Sequence, residues 1–428
     1  VKVLLVGSGG RESALAWALA ESSSAPDVVA APGNPGIAEV AAIEPVSDLD
    51  PSTVLAVAGR VRPDLVVVGP EAPLVAGAGD ALREEGFAVF GPDAGAARIE
   101  GSKSYARELM DAAGISPTRW GSFTSFDHAV AFADELGPPY VVKADGLAAG
   151  KGVVVTSDRA EARDAIASAV LERRFGAAGQ RVVIEEFLNG EEVSLIAFSD
   201  GVHLVACEPA QDFKRVEDGD RGPNTGGMGS YSPVPVCPPG EADRIVEEVL
   251  RPTIEAMGRG GTPFAGALYA GLALTDRGPR VIEFNARFGD PETQALMPRL
   301  RSDLAEVCLA CARGDLAGTK LDWRPESCVT VVVASGGYPG PHDVGLPIEG
   351  IGEAASLADV RVFHSGVALE NGRMVTSGGR VLSISALGPS LAAARAAAYR
   401  GVSKISFPNM RFRTDIAARA ASIEGSSE

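Results

Sequence analysis

Histidine and cysteine are scarce in this 428-residue chain, positive charge is in the minority, and long apolar runs are missing. The four histidines, His128, His203, His342 and His364, are too few and too scattered for a histidine-rich metal site. The five cysteines are odd in number and scattered, so no disulfide framework is expected. Cys308 and Cys311 form a CxxC, but Leu304, Val307, Cys308 and Cys311 recur at helical intervals. With no second CxxC or paired histidine, a buried helix face is expected there rather than a redox or zinc site. No apolar stretch approaches the ~20 residues that span a bilayer. The first residues, Val1–Val6, read as a strand and lack a signal-peptide layout. Lys and Arg total 39 against 56 Asp and Glu, a net charge of −17 that repels nucleic acid. Together these absences predict a reduced cytoplasmic protein with no nucleic-acid or membrane partner; a monomer or weak homodimer is the accompanying expectation.

What is present is ordinary globular material, 46% hydrophobic and 22% charged, enough for two to four domains. Residues 1–100 alternate strand and helix signals. Short apolar runs at Val3–Val6, Asp27–Ala31, Leu65–Val68 and Phe87–Phe90 each end in a Gly/Pro loop. This pattern predicts an open, parallel α/β sheet that binds a ligand at its strand ends. Gly7-x-Gly9-Gly10 opens a helix as a dinucleotide loop would, but Glu12 stands where the third glycine belongs. A phosphate cradle without a nicotinamide is the expected reading. Further on, Ser102–Ala113 reads as a helix, and strands at Tyr140–Lys143, Val153–Thr156 and Arg181–Glu185 outline a small α+β lobe. Strand signals return at Val193–Ser199, Val202–Ala206, Ala267–Leu274 and Pro279–Asn285, interrupted by a polar loop over 211–231. A separate C-terminal α/β unit follows, with nothing expected beyond it.

Three segments carry chemistry. On a strand, Glu283, Asn285 and Arg287 share one face and Ile282 and Phe284 the other, buried one. A carboxylate and an amide oxygen two residues apart suit Mg²⁺, although a solvated strand edge would look the same. In Gly146–Gly152, Gly150 and Gly152 flank Lys151, and Lys143 precedes the loop. Such a loop closes amides and lysines over phosphates, or is a plain hairpin. Glu185-Glu186-Phe187-Leu188, then Glu192, offers a backbone hinge and a ribose-binding carboxylate, or simple acidic surface.

In order and spacing these segments resemble the ATP-grasp enzymes, which hold ATP between two α+β lobes. The resemblance implies that Lys103 and Lys143 meet phosphates under the loop of Gly146, Gly150, Lys151 and Gly152. It likewise implies that Glu185, Phe187 and Leu188 form the adenine hinge, that Glu192 binds ribose, and that Glu283 and Asn285 hold Mg²⁺ or Mn²⁺. Outside the ATP segments, Gly7–Glu12, Ala31–Asn34, Val68–Leu74, Phe90–Pro92, Glu100–Lys103, Gly222–Gly229, Glu283–Gln294 and Gly336–Gly340 resemble the glycinamide ribonucleotide synthetases nearly end to end. Two departures stand out. Ala267–Thr275 lacks the acidic metal ligand many ATP-grasp relatives carry there, and Ser13 replaces the usual histidine.

The resemblance implies three units: an N-terminal α/β substrate domain (1–100), an ATP-grasp domain (101–325, mobile lobe about 118–190) and a C-terminal domain (326–428). It implies ATP-dependent joining of glycine to 5-phosphoribosylamine through glycyl phosphate. Arg287, Lys143 and Asp290 are the expected catalytic residues, Asp290 being either an ammonium contact or the cap of the next helix. Gly9, Gly10, Arg11, Gly33, Asn34 and Glu71 would face the phosphoribosyl group. Asp212, Lys214, Arg215, Asn224, Thr225, Gly226 and Gly227 would line the acceptor side, unless 211–231 is only an ordered surface loop. Another ATP-grasp ligase, a dehydrogenase and a non-catalytic ATP sensor remain as alternatives.

Overall fold

The computed structural model describes residues 1–147, 152–174 and 180–425. The N-terminal sheet contains β1 (Lys2–Gly7), β2 (Asp27–Pro32), β3 (Ala42–Ile43), β4 (Leu65–Val68) and β5 (Val89–Phe90). All pairs are parallel and the order is β3-β2-β1-β4-β5. β4 is buried along its whole length, as a strand covered on both faces must be. The chain leaves β1 toward β2 on one side and later reaches β4 on the other. The carboxyl ends of β1 and β4 therefore flank the switch point, where open α/β sheets bind ligands. The two-residue β3 is too short to register as a periodic signal.

A second antiparallel sheet is formed by β6 (Trp120–Phe123), β7 (Tyr140–Ala144), β8 (Val153–Thr156) and β9 (Val182–Glu185), in the order β6-β9-β7-β8. Its helices, Phe126–Leu136 and Arg159–Val170, pack on it through Ala129, Ala133 and Ile166, making a core separate from the other clusters. β7 pairs with β8, Lys143 opposite Val153, so the glycine loop does join two adjacent strands. Gly150 and Lys151 lie outside the described residues.

The remaining strands are β10 (Glu191–Asp200), β11 (Leu204–Ala206), β12 (Gln211–Asp212), β13 (Arg215–Glu217), β14 (Arg221–Asn224), β15 (Gly229–Ser232), β16 (Ala265–Thr275), β17 (Gly278–Asn285), β18 (Ser327–Ala334), β19 (Val360–His364), β20 (Val367–Glu370), β21 (Arg373–Thr376) and β22 (Arg380–Gly388). They make a central sheet, β11-β10-β16-β17, a C-terminal sheet, β12-β15-β18-β22-β19, and hairpins β13–β14 and β20–β21.

The segment 211–231 corrects the expectation of a loop. It holds two strands and a hairpin, and β15 pairs with β18 inside the C-terminal sheet. Its buried serines explain why hydropathy misses it: Ser230 donates to the Pro291 carbonyl (2.7 Å) and Ser232 to Pro209 (2.8 Å). A Gly-Ser-Tyr-Ser strand is tolerated in a core only when such hydroxyls are paired. Cys308 and Cys311 are buried on the helix Leu304–Arg313, as their spacing predicts, and burial pushes both thiols up. No helix among the described residues is long and apolar enough to cross a membrane.

The C-terminal sheet thus anchors β15, and its core can be probed directly. Ile384 is fully buried on β22. Ile384→Ala is expected to cost about 2–5 kcal/mol, read as a lower urea midpoint. Val202→Ala, at a residue 74% exposed, should leave the midpoint unchanged.

Candidate functional site

The helix Lys103–Ala113 begins at the Ser102 cap and presents its first turn to the end of β7. Asp145 accepts from the Ser102 and Ser104 hydroxyls (3.1 and 2.5 Å) and from the Ser104 amide (3.1 Å). Lys103 Nζ donates to the Gly146 carbonyl at 3.1 Å, which sets it at the base of the glycine loop. One turn further on, Arg107 points inward. Its guanidinium grips Glu185 with both branches (2.9 and 2.6 Å), and Lys143 Nζ meets the same carboxylate at 2.8 Å. All three are about 4% exposed.

Register explains why these cations fit together. Gly271 pairs with Glu283 but Leu272 with Val281, so Ile282 bulges out of the ladder. Its freed carbonyl accepts from Lys143 (2.8 Å) and Arg107 (3.3 Å), and Val281 accepts from Arg107 (3.1 Å). The bulge also corrects one expectation: Ile282 is half-buried rather than part of the core, while Phe284 is buried. Burial acts to raise the Glu185 carboxyl, but the Lys143 and Arg107 charges and their hydrogen bonds outweigh it and bring it down to about 2. Beyond it, Phe187 stands 42% exposed and Leu188 half-buried.

Glu283 lies where several cations converge. Burial opposes its ionisation, yet Lys214, Lys143, Lys103 and Arg287 together hold it below the usual carboxylate range. Among the described residues no hydrogen bond reaches its carboxylate, and the Asn285 amide oxygen has only a 3.5 Å contact from Arg287. Two oxygen donors with open lone pairs suit a hard divalent ion. No group of three acidic, His or Cys side chains able to hold a metal occurs among the described residues, so an ion there needs oxygens from elsewhere, such as phosphates. Lys214 pairs with Glu192 at 2.8 Å. Burial lifts the nearby Asp212 to about 8, opposed by Lys214 and assisted by Glu292, Glu192 and Glu283.

At the switch point, Glu12 fills the crevice. A Cβ at Gly7 would lie 2.6 Å from its side chain, and Gly69 is equally crowded by it. The carboxylate accepts from the Gly9 amide (2.6 Å) and from Arg11 (2.5 Å). A dinucleotide pyrophosphate would meet this negative group at the place where it needs open amides, which argues against the dehydrogenase alternative.

Arg11 and Arg287 both approach Glu71 (3.9 and 3.3 Å), and Arg287 also pairs with Glu100 at 3.0 Å. Glu100 in turn accepts the Ala286 amide (2.7 Å), a role its sequence context does not reveal. Asp290 is not a helix cap; the helix Glu292–Leu296 has no side-chain cap. Instead Asp290 pairs with Arg380 (3.0 Å) and accepts from Gln294 (2.7 Å). Burial opposes, but Arg380 and Arg11 lead in holding it below its usual range.

The other expected residues are structural in their visible contacts. The Asn34 amide donates to Ser8 and His364 (2.8 and 2.9 Å) and its oxygen takes the Ile37 amide (2.9 Å), shaping the loop after Gly33. Arg215 reaches the Gly222 carbonyl and pairs across the hairpin with Asn224. Thr225 donates to Lys214 (2.9 Å) and accepts from Gly227 (2.9 Å). The Gly226 amide donates to the Tyr338 hydroxyl, Arg380 grips the Gly226 carbonyl, and Gly227 lies against Pro291.

The buried Glu185 gives an acid signature. Its folded value lies below its ordinary one, so its contribution is full above about 4.5 and fades as pH falls toward about 2. Urea midpoints measured from pH 6 to pH 3 should therefore fall more steeply in the native chain than in Glu185→Gln. Equal slopes would count against the pairing.

Three family models match the chain in order: the N domain of phosphoribosylglycinamide synthetase over residues 1–100, its ATP-grasp (A) domain over 101–293 and its C domain over 328–419. The phosphoribosylamine–glycine ligase of Streptomyces coelicolor is 53% identical over 427 residues, 98% of this chain and 100% of that one. That of Mesorhizobium japonicum is 47% identical over 100% of both chains. The crystal structure of the Thermotoga maritima phosphoribosylamine–glycine ligase superposes with a TM-score of 0.84 at 34% identity, covering 97% of this chain and 100% of that one. A biotin carboxylase domain from Hydrogenobacter thermophilus shares the fold alone, with a TM-score of 0.73 at 15% identity over 96% and 91% of the two chains. The chain belongs to the phosphoribosylglycinamide synthetase family of ATP-grasp ligases.

Proposed function

We infer that this chain joins glycine to 5-phosphoribosylamine at the expense of ATP, giving glycinamide ribonucleotide, ADP and phosphate. The observation that carries this reading is the convergence of Lys103, Lys143, Lys214 and Arg287 on the ionised Glu283. Such a field suits a triphosphate with its counter-ion and is costly without one. A cytoplasmic location and a monomer or weak homodimer accompany the reading.

Glu283 and Asn285 would hold Mg²⁺ or Mn²⁺, the hard ions their oxygens fit. When bound, such an ion neutralises phosphate charge. The rest of the chemistry falls to the chain. The hinge at Glu185, Phe187 and Leu188 receives adenine, with exposed Phe187 as an apolar surface for the ring, and Glu192 receives ribose hydroxyls. Lys103 and Lys143, with the amides of Gly146 and Gly152, hold the phosphates. A glycine carboxylate oxygen attacks the γ-phosphorus, the bond to ADP breaks, and glycyl phosphate forms. The amine of phosphoribosylamine then attacks the glycyl carbonyl, loses a proton and expels phosphate.

Arg287 is placed to stabilise the oxyanion of that addition, since Glu71 and Glu100 fix its plane on one side. Asp290, ionised beside Arg380, is placed to receive an ammonium group. Asp212, Lys214 and the turn Thr225–Gly227 border the same space, and Gly9, Gly10, Arg11 and Gly33 border the phosphoribosyl end. Water must be kept from an acyl phosphate, so the lobe carrying β6–β9 is assigned the role of lid.

ADP release with Mg-ATP should require glycine and freshly made phosphoribosylamine together, in step with a glycine-containing nucleotide. Turnover with either substrate alone would sink the assignment. Glu283→Ala should lower kcat by about 100-fold or more, because the phosphates lose their ion.

A further inference from the structure

The largest fully buried side chain among the described residues carries a charge. Arg413 is 1% exposed and lies between the helices Leu391–Val402 and Ala418–Gly425. Its guanidinium covers the Phe213 ring, 4.8 Å from the centroid. Its donors reach the Arg215 carbonyl (3.1 Å), Asp220 (2.7 Å) and both oxygens of Asp415 (2.8 and 2.7 Å). The next two residues extend the grip. Thr414 donates to Asp218 through its amide (2.8 Å) and its hydroxyl, and Asp415 accepts the Gly219 amide (2.8 Å). Three consecutive residues thus clasp the hairpin β13–β14 and the residues that lead into it.

Stability alone does not call for this arrangement. Taking a guanidinium out of water costs roughly several kcal/mol, and a well-packed apolar side chain often stabilises as well. What an arginine adds is direction, because its planar fork holds several partners in one fixed geometry. The backbone held here flanks Lys214: Phe213 is fixed by its ring and Arg215 by its carbonyl. The Lys214 carbonyl itself accepts from the Thr225 amide and hydroxyl (2.7 and 2.9 Å).

With its neighbours fixed, the Lys214 side chain runs into the site, where Nζ meets Glu192 at 2.8 Å. Burial opposes ionisation of Glu283, and Lys214 leads the cations that overcome it. An ammonium on a flexible four-carbon stem depends on where its root is held, and a misplacement of about 1 Å can cost about 100-fold in rate.

We propose that Arg413 is a positioning residue for Lys214: it holds the backbone on either side of that lysine, so that the ammonium stands between Glu192 and Glu283 where the phosphoryl group is transferred. The assignment rests on the function proposed above and extends it to a side chain that, being buried, acts through the lysine and not on the reacting atoms.

The test is a double-variant cycle in the full chain with Mg-ATP, glycine and phosphoribosylamine. Arg413→Met should lower kcat about 30-fold in the native background. In the Lys214→Met background no ammonium remains to be placed, and the same change should lower kcat by less than about threefold. A merely structural role would lower kcat by equal factors in both backgrounds, and that result overturns the proposal. If Arg413→Met does not fold, Asp220→Asn carries the same comparison, since Asp220 is 69% exposed and its φ of +53° suits asparagine. It should lower kcat about threefold with Lys214 present and leave it unchanged in Lys214→Met; no fall with Lys214 present overturns the proposal. Brief labelling with acetic anhydride, read by peptide mass spectrometry, reports the lysine without turnover. Lys214 should acetylate about threefold faster in either variant while Lys2 keeps its native rate, and a native rate at Lys214 also overturns the proposal. Faster labelling of Lys214 in the variants, together with a native chain that forms no product, would uphold the grip of Arg413 and reject the proposed function instead.

Discussion

One carboxylate, Glu185, joins the small lobe to the rest of the molecule. It ends β9, is gripped by Arg107 from the helix Lys103–Ala113, and receives Lys143 from the neighbouring strand β7. Burying such a group with one partner would be unfavourable; two cations and carbonyls from the bulge at Ile282 make it tenable. The bulge supplies those carbonyls by breaking the ladder between β16 and β17 at one residue. The same strand then continues into Glu283 and Asn285. Placement of Glu185, Lys143 and the Glu283–Asn285 pair is therefore a single packing problem.

The opposite side of the site obeys a different constraint. There, charges from separate domains share one network: Arg11 and Glu71 from helices that follow strands of the N-terminal sheet, Arg287 after β17, and Asp290 with Arg380 of β22. Strand β15 lies in the C-terminal sheet although its sequence falls within the central portion. The Gly226 turn that precedes it is held by Tyr338 and Arg380. The C-terminal unit thus forms part of the wall around this charge network rather than an appendage.

Much of this was legible in the sequence where hydrophobic pattern and local geometry agree. The runs at Val3–Val6 and Leu65–Val68 are parallel strands, and the Cys308–Cys311 helix is buried as its spacing requires. Glu283, Asn285 and Lys143 stand out because their chemistry is written in adjacent residues. What stayed hidden depends on distant partners. Arg107 matters through a residue 78 positions away, and Arg380 through one 90 positions away. Strand β15 carries one core side chain, Tyr231, between two serines whose hydroxyls are paired, and the bulge at Ile282 is a register shift against β16 that its own neighbours do not announce.

On the proposed mechanism the glycine carboxylate is activated by taking the γ-phosphoryl group. The most direct test is turnover with glycine carrying ¹⁸O in both carboxylate oxygens, followed by mass analysis of the phosphate released. The account predicts one ¹⁸O atom in each phosphate and one left in the amide carbonyl. Phosphate free of the label, with product still formed, would contradict it.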